Sequence, residues 1–134
     1  MDETLAFRIV CLYKYFLAYC QQELKKLGVS FGQLPFLLYV GKHPDCTQKQ
    51  LTEGIRIDWG YSQRSIAKLV ENGLLVKENR ENCHLKLTDA GNQAFALSHQ
   101  VFKAWDQTHT TEFTEQEREE LYHLLGKLLH ANEA

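Results

Sequence analysis

The sequence predicts a mainly α fold carrying one small β hairpin, and three observations predict it. An unbroken run of residues at helical spacing fills the first 27 positions, two short capped segments separated by a tight turn occupy residues 47–72, and two short strand patterns flank a polar tip directly after them. Two further helical patterns close the chain, making about six helices and a two- or three-stranded hairpin.

A chain of 134 residues, 44% apolar and 24% charged, has the size and make-up of one soluble globular domain. Arg8, Lys14, Glu23, Lys25 and Lys26 interrupt the apolar start, and no small-residue cleavage site follows them. No stretch reaches the length of a membrane span. A cytoplasmic location is expected, where the four cysteines stay reduced, and none of them forms a CxxC pair. The formal net charge of −2 is unevenly spread. Residues 47–88 hold seven Lys/Arg against five Asp/Glu, whereas residues 89–134 hold three against eight. The middle of the chain is therefore free to present a basic face despite the acidic total.

Residues 2–27 lack Gly and Pro, and Leu5, Ile9, Leu12, Phe16, Cys20, Leu24 and Leu27 recur at helical spacing, so one long helix ended by Gly28 is expected. So long a stripe needs a partner to cover it. Ser30 and Gln33 have the form of a capping box opening a second helix through Phe36, Leu37 and Val40 to the His43-Pro44 stop. Pro35 fits there only if the first turn is loose. Thr47 caps a short third helix ending near Gly54, and Asp58 caps a fourth running to Asn72, with Gly73 as its terminator. Val76–Glu78 and Cys83–Leu87 read as strands around Asn79-Arg80-Glu81-Asn82. A fifth helix follows Thr88, and Thr114 with Glu117 boxes the start of a sixth that carries Leu121, Leu124, Leu125, Leu128 and Leu129.

Helix, tight turn, helix and hairpin is the order of a winged helix-turn-helix, in which the second helix of the motif enters a major groove. On residues 58–72, Ile66, Leu69 and Val70 share one side, with Ser62 one turn earlier. Arg64 lies about 200° round from Ser62, on the far face with Gly60, Ala67, Lys68 and Glu71, flanked by Tyr61 and Gln63. An arginine there reaches guanine O6 and N7, a glutamine pairs with adenine, and Lys68 suits a phosphate. The expected DNA contacts are Tyr61, Ser62, Gln63, Arg64, Lys68 and, on the hairpin tip, Arg80.

These segments resemble the MarR (multiple antibiotic resistance regulator) family of bacterial and archaeal transcription factors over nearly the whole chain. Ser30-Phe31-Gly32-Gln33 is similar to the family's Leu-Thr-x-x-Gln, and Thr47 to Leu51 to its T-x-x-x-L third helix. Ile57-Asp58, Gln63-Arg64 and Leu69 to Leu74 resemble the recognition helix and its exit. Leu87-Thr88-Asp89-Ala90-Gly91 reproduces the L-T-x-x-G that leaves the wing, and Thr114 to Glu117 looks like the start of the closing helix. The resemblance implies one domain over 1–134, with 30–91 as the DNA-binding lobe and 1–29 and 92–134 as dimerisation helices. It further implies a homodimer held in part by Leu5, Ile9, Leu12, Leu121, Leu124, Leu125 and Leu128, a pseudo-palindromic double-stranded operator, and repression released by a small ligand or an oxidant, with a small apolar or aromatic effector as the favoured ligand. No cofactor is expected. The departures are Ser62 in place of an apolar residue, Arg56 in place of the turn glycine, where positive φ costs about 1 kcal/mol, and a wing about four residues shorter that lacks the Asp-x-Arg tip.

Hydroperoxide sensors of the family carry a cysteine in a Leu-Cys-Phe context, and the matching segment here is Leu5-Ala6-Phe7, without the nucleophile. Cys11 and Cys20, about 13.5 Å apart along one helix, cannot pair within a chain. Cys46 precedes the Thr47 cap and Lys49, a setting that lowers a thiol pKa, which makes it the one redox candidate. His43, Asp45, Cys46, Cys83 and His84 lack a recognised metal-ligand spacing. No catalytic motif is present, so an enzyme is not expected. Two alternatives to the DNA-binding reading are a winged-helix protein-interaction module and a cysteine-based redox regulator.

Overall fold

The structure, a computed structural model, describes residues 3–132, and the chain divides after Val101 into two compact units. In the first, α1 (Leu5–Lys25) starts where the Thr4 hydroxyl accepts the Phe7 amide at 3.1 Å. It ends in a turn through Gly28, whose φ of +72° a residue with a side chain resists. Ser30 and Gln33 exchange the two bonds of a capping box around a 3-10 turn, Phe31–Gln33, and α2 (Leu34–Lys42) follows. This turn answers the difficulty of Pro35: the proline falls in the first turn of α2, where its missing N–H would have had no partner inside the helix.

Thr47 and Gln50 form a second capping box on α3 (Gln48–Gly54), and the Asp58 carboxylate accepts the Tyr61 amide at 2.8 Å to open α4 (Trp59–Glu71). Between them Arg56 takes φ +55°, so the expected strained turn is present without its glycine. The hairpin pairs β1 (Leu75–Asn79) with β2 (Cys83–Leu87) antiparallel, Leu75 opposite Leu87 and Asn79 opposite Cys83. β1 is one residue longer at each end than expected. A single bridge from Thr47 to His84, and the Leu85 amide bonded to the Cys46 carbonyl at 2.8 Å, give the hairpin a fragment of third strand.

Where the wing ends, the Thr88 hydroxyl donates to the Gly73 carbonyl at 2.6 Å and accepts the Gly91 amide at 3.0 Å. One side chain thus caps α5 (Asp89–His109) and ties it to the end of α4. Gly91 is required by space: a Cβ there would stand 2.1 Å from the Leu74 carbonyl oxygen. Leu24, Phe36, Leu37, Leu51, Ile66, Leu69, Leu75 and Leu85 are fully buried and form the core, each contributing about 1.5–3 kcal/mol of transfer free energy. The Tyr19 hydroxyl donates to the Val101 carbonyl at 3.0 Å, fastening α1 to α5.

The second unit contains the end of α5 and α6 (Glu115–Ala131), which opens on the expected box: Glu117 N to Thr114 Oγ1 at 3.1 Å and Thr114 N to Glu117 Oε1 at 2.9 Å. Trp105 stacks on His109 with centroids 3.7 Å apart.

The contact with the largest bearing on function is buried between α3 and α4. Thr52 Oγ1 donates to the Gln48 carbonyl at 2.7 Å, so its single proton is spent, and the Ser62 hydroxyl 2.7 Å away must donate to Thr52. Thr52→Val leaves Ser62 with a buried, unmatched donor, and we expect a loss of about 1–3 kcal/mol in urea unfolding. Thr52→Val/Ser62→Ala removes both hydroxyls and should be the more stable of the two variants.

Candidate nucleic-acid interface

Ser62, Ile66 and Leu69 are fully buried and define the inner face of α4. Helical geometry then turns Gly60, Arg64, Ala67, Lys68 and Glu71 outward, and the side chains of Arg64, Ala67, Lys68 and Glu71 are exposed. Arg64 and Lys68 have no carboxylate partner among the described residues, whereas most cations of the wing do. A bare guanidinium on the outward face of the second helix of the motif is chemically suited to a base edge, and the ammonium one turn later to a phosphate.

Tyr61 and Gln63 lie on the flanks of this face as expected, both exposed. Tyr61 also packs its ring against Phe36 with centroids 5.9 Å apart, which anchors it to α2. Ser62 is a correction: it was expected among the DNA contacts, but it has no exposed surface and its hydroxyl is committed to Thr52. Its place on the sequence, one turn before Ile66, already put it on the inner side. Trp59 was missed. It is the first residue of α4, 48% exposed, one turn before Gln63. The signal in the sequence was its position directly after the Asp58 cap, at the end of the helix that docks first.

The wing tip is held inward. Arg80 pairs with Asp45, in the turn between α2 and α3, and lies 3.6 Å from Glu78. Asp45 itself adopts φ +67°, and His84 Nδ1 sits 3.0 Å from its carbonyl oxygen and 3.6 Å from its carboxylate. Lys86 pairs with Glu78 at 3.2 Å. A DNA contact by Arg80 therefore requires phosphate to replace two carboxylates, an inexpensive exchange because exposed pairs contribute only about 0–1 kcal/mol.

The expectation that the helix N-terminus lowers the Cys46 thiol pKa is also corrected. Its side chain is buried, and burial, together with the Asp45 charge, pushes its thiol pKa up despite a lowering backbone hydrogen bond. Thiolate, the reactive form, is disfavoured there. Cys20 is fully buried and its thiol is pushed up to about 11. All four cysteines are free, and among the described residues no group of three or more His, Cys, Asp and Glu could hold a metal ion. No helix of the described residues is long and apolar enough to cross a membrane. A cleft of about 220 Å³ lies between α2, β2 and the start of α5, lined by Val40, Gly41, Pro44, Asp45, Lys86, Leu87 and Asn92.

A model of the MarR family matches residues 27–82, the stretch from the end of α1 to the wing tip. An HTH-type transcriptional regulator, BilQ of Clostridium symbiosum, is 35% identical over 138 residues, which cover all of this chain and 96% of that protein. The chain belongs to the MarR family. A second HTH-type transcriptional regulator, BilQ of Clostridioides difficile, is 28% identical to this MarR-family chain across 89% of it and 83% of its own length. Among solved structures, a MarR transcriptional regulator from Methanosarcina mazei superposes with TM-score 0.86 at 24% identity, over 98% of this chain and 92% of that one. A MarR family regulator from Listeria monocytogenes, solved as a complex with a 26mer DNA, gives TM-score 0.81 at 25% identity over 98% and 89% of the two chains. The six α-helices and two-stranded hairpin of the described residues are thus the winged helix architecture of the MarR family.

The buried thiols of this MarR-family chain have a consequence for pH. An unfolded Cys20 ionises near its ordinary value of 9.0, while the folded one stays protonated to about 11. The folded state is favoured below that window and loses the advantage as pH rises through it. Unfolding free energy should therefore fall between pH 9 and about 11 more steeply for the native sequence than for Cys20→Ala, measured by denaturant titration at each pH.

Proposed function

We propose that this MarR-family regulator acts in the cytoplasm as a homodimer that binds a pseudo-palindromic double-stranded operator and represses transcription until a small apolar or aromatic effector releases it. The observation that carries the DNA-binding part is the outward face of α4, where Arg64 and Lys68 stand without carboxylate partners among the described residues, opposite a fully buried face. Family membership and the solved DNA complex of a relative support it. Regulators of this kind are generally not enzymes.

The dimer is supported by uncovered apolar surface on the terminal helices. On α1, Leu5 is 57% and Leu12 62% exposed, with Ile9 between them also exposed. On α6, Leu124, Leu125 and Leu129 are exposed, and Leu121 and Leu128 are half-buried. Apolar rows this continuous are costly to leave in water, and a second copy of the chain covers them by symmetry. Two α4 helices related by the dimer axis then read half-sites about one helical turn apart, 10–10.5 base pairs. A winged-helix interaction module without DNA binding is the competing reading, motivated by the neutralised wing arginine.

Light scattering at micromolar concentration should report twice the chain mass, and a monomer would remove the operator geometry proposed here. Fragments selected from genomic DNA by the protein should bind with strongly salt-dependent affinity, because phosphate contacts release counterions. Arg64→Ala should cost about 1–3 kcal/mol per half-site on the selected sequence and little on random DNA. Arg80→Ala should weaken all sequences alike and flatten the salt slope by about one unit for each phosphate the arginine had neutralised. Unchanged sequence preference in Arg64→Ala would favour the interaction module.

A further inference from the structure

We infer that Gly60 is a positioning residue for base readout: its missing side chain leaves the seat that Arg64 occupies at the docking end of α4. The inference rests on the DNA-binding reading given above. Gly60 is the second residue of a 13-residue α-helix, and its φ is not among the positive values of the chain, so the backbone there does not call for glycine. Glycine is instead among the residues that a helix tolerates least.

Packing of the fold does not call for it either. A Cβ on Gly41 would stand 2.3 Å from the Phe95 ring, and one on Gly91 would stand 2.1 Å from the Leu74 carbonyl oxygen, so those two are demanded by the core. A Cβ on Gly60 would meet only two groups, both polar side-chain ends: Arg64 Nη1 at 3.3 Å and Asp58 Oδ1 at 3.4 Å. The Asp58 carboxylate is already engaged with the Tyr61 amide, and it is not an ion-pair partner of Arg64. The guanidinium therefore reaches back one turn, over the bare backbone of Gly60, toward the N-terminal end of α4. In helix-turn-helix proteins that end of the recognition helix meets the base edges.

A side chain at position 60 would take the guanidinium's seat. An alanine would shift the nearest nitrogen by a few tenths of an ångström, and a leucine would evict it. Bidentate recognition of guanine needs both prongs of the fork in line with O6 and N7, so sequence discrimination is the quantity most sensitive to such a shift.

The test uses the full chain, the genomic fragment selected by the native protein, and that fragment with one base pair changed at the position where Arg64→Ala loses discrimination. Gly60→Ala, Gly60→Leu, Arg64→Ala and Gly60→Ala/Arg64→Ala are compared for melting temperature and for the ratio of the two affinities. We expect melting temperatures equal to or above that of the native protein, because both substitutions raise helix propensity. The affinity ratio should fall about threefold for alanine and about tenfold or more for leucine, within the range of one bidentate pair. In the Arg64→Ala background, Gly60→Ala should change the ratio no further.

Native-like discrimination in both glycine variants would overturn the inference. So would an undiminished effect of Gly60→Ala when Arg64 is absent, because the glycine would then act on DNA without the arginine, and so would a lowered melting temperature, which marks a structural role. A native protein that binds no fragment more tightly than random DNA would instead remove the DNA-binding reading itself, before any variant is compared, and the inference with it.

Discussion

The hydroxyl pair between Thr52 and Ser62 is the constraint on which the outward face of α4 depends. It is buried, 2.7 Å long, and directional, since Thr52 has already given its proton to the Gln48 carbonyl. An apolar contact at the same place would fix the separation of α3 and α4 but tolerate rotation about either axis. A short hydrogen bond penalises both, because an unmatched buried hydroxyl costs more than a slipped methyl group. With Ser62 pointing at α3, and Ile66 and Leu69 pointing at the core, Arg64 and Lys68 have no direction left but outward. The serine that departs from the family pattern is thus matched by a threonine on the preceding helix.

Charge is distributed unequally between the two parts that face DNA in a winged helix. On the wing, Arg80 and Lys86 are drawn onto Asp45 and Glu78, and His84 rests on the Asp45 carbonyl. These contacts fasten a short hairpin to the turn before α3, where a bridge from Thr47 and a bond from Leu85 already hold it. On α4 the cations have no such carboxylates beside them among the described residues. The shortened wing therefore gains shape from its ion pairs and gives up part of its attraction for phosphate, while the recognition helix keeps its full charge.

The thiols follow the same division between local position and surroundings. A cysteine just before a helix N-terminus has its anion stabilised by the helix dipole, yet Cys46 is enclosed by the wing and lies beside Asp45. Desolvation and a neighbouring negative charge both favour the neutral thiol, and they outweigh the backbone hydrogen bond that favours the anion. Cys20, fully buried on α1, shows the burial effect without competition.

What the sequence by itself determined is what depends on neighbours in the chain. Capping pairs such as Ser30/Gln33 and Thr114/Glu117 lie three residues apart, and the left-handed turns at Gly28 and Gly73 are a property of one residue, so most helix boundaries were readable to within a residue or two; the exceptions are the start of α1, at Leu5 rather than residue 2, and that of α2, which the 3-10 turn Phe31–Gln33 delays to Leu34. Periodicity likewise separated the inner side of α4 from the side that carries Arg64. Only the tertiary structure decided the rest. The commitment of Ser62 to Thr52, the capture of Arg80 by Asp45 35 residues away and the enclosure of Cys46 all depend on segments outside the local turn. The physical reason is that capping and turn energies act over three or four residues, whereas burial and ion pairing are set by whichever distant surface the fold brings alongside.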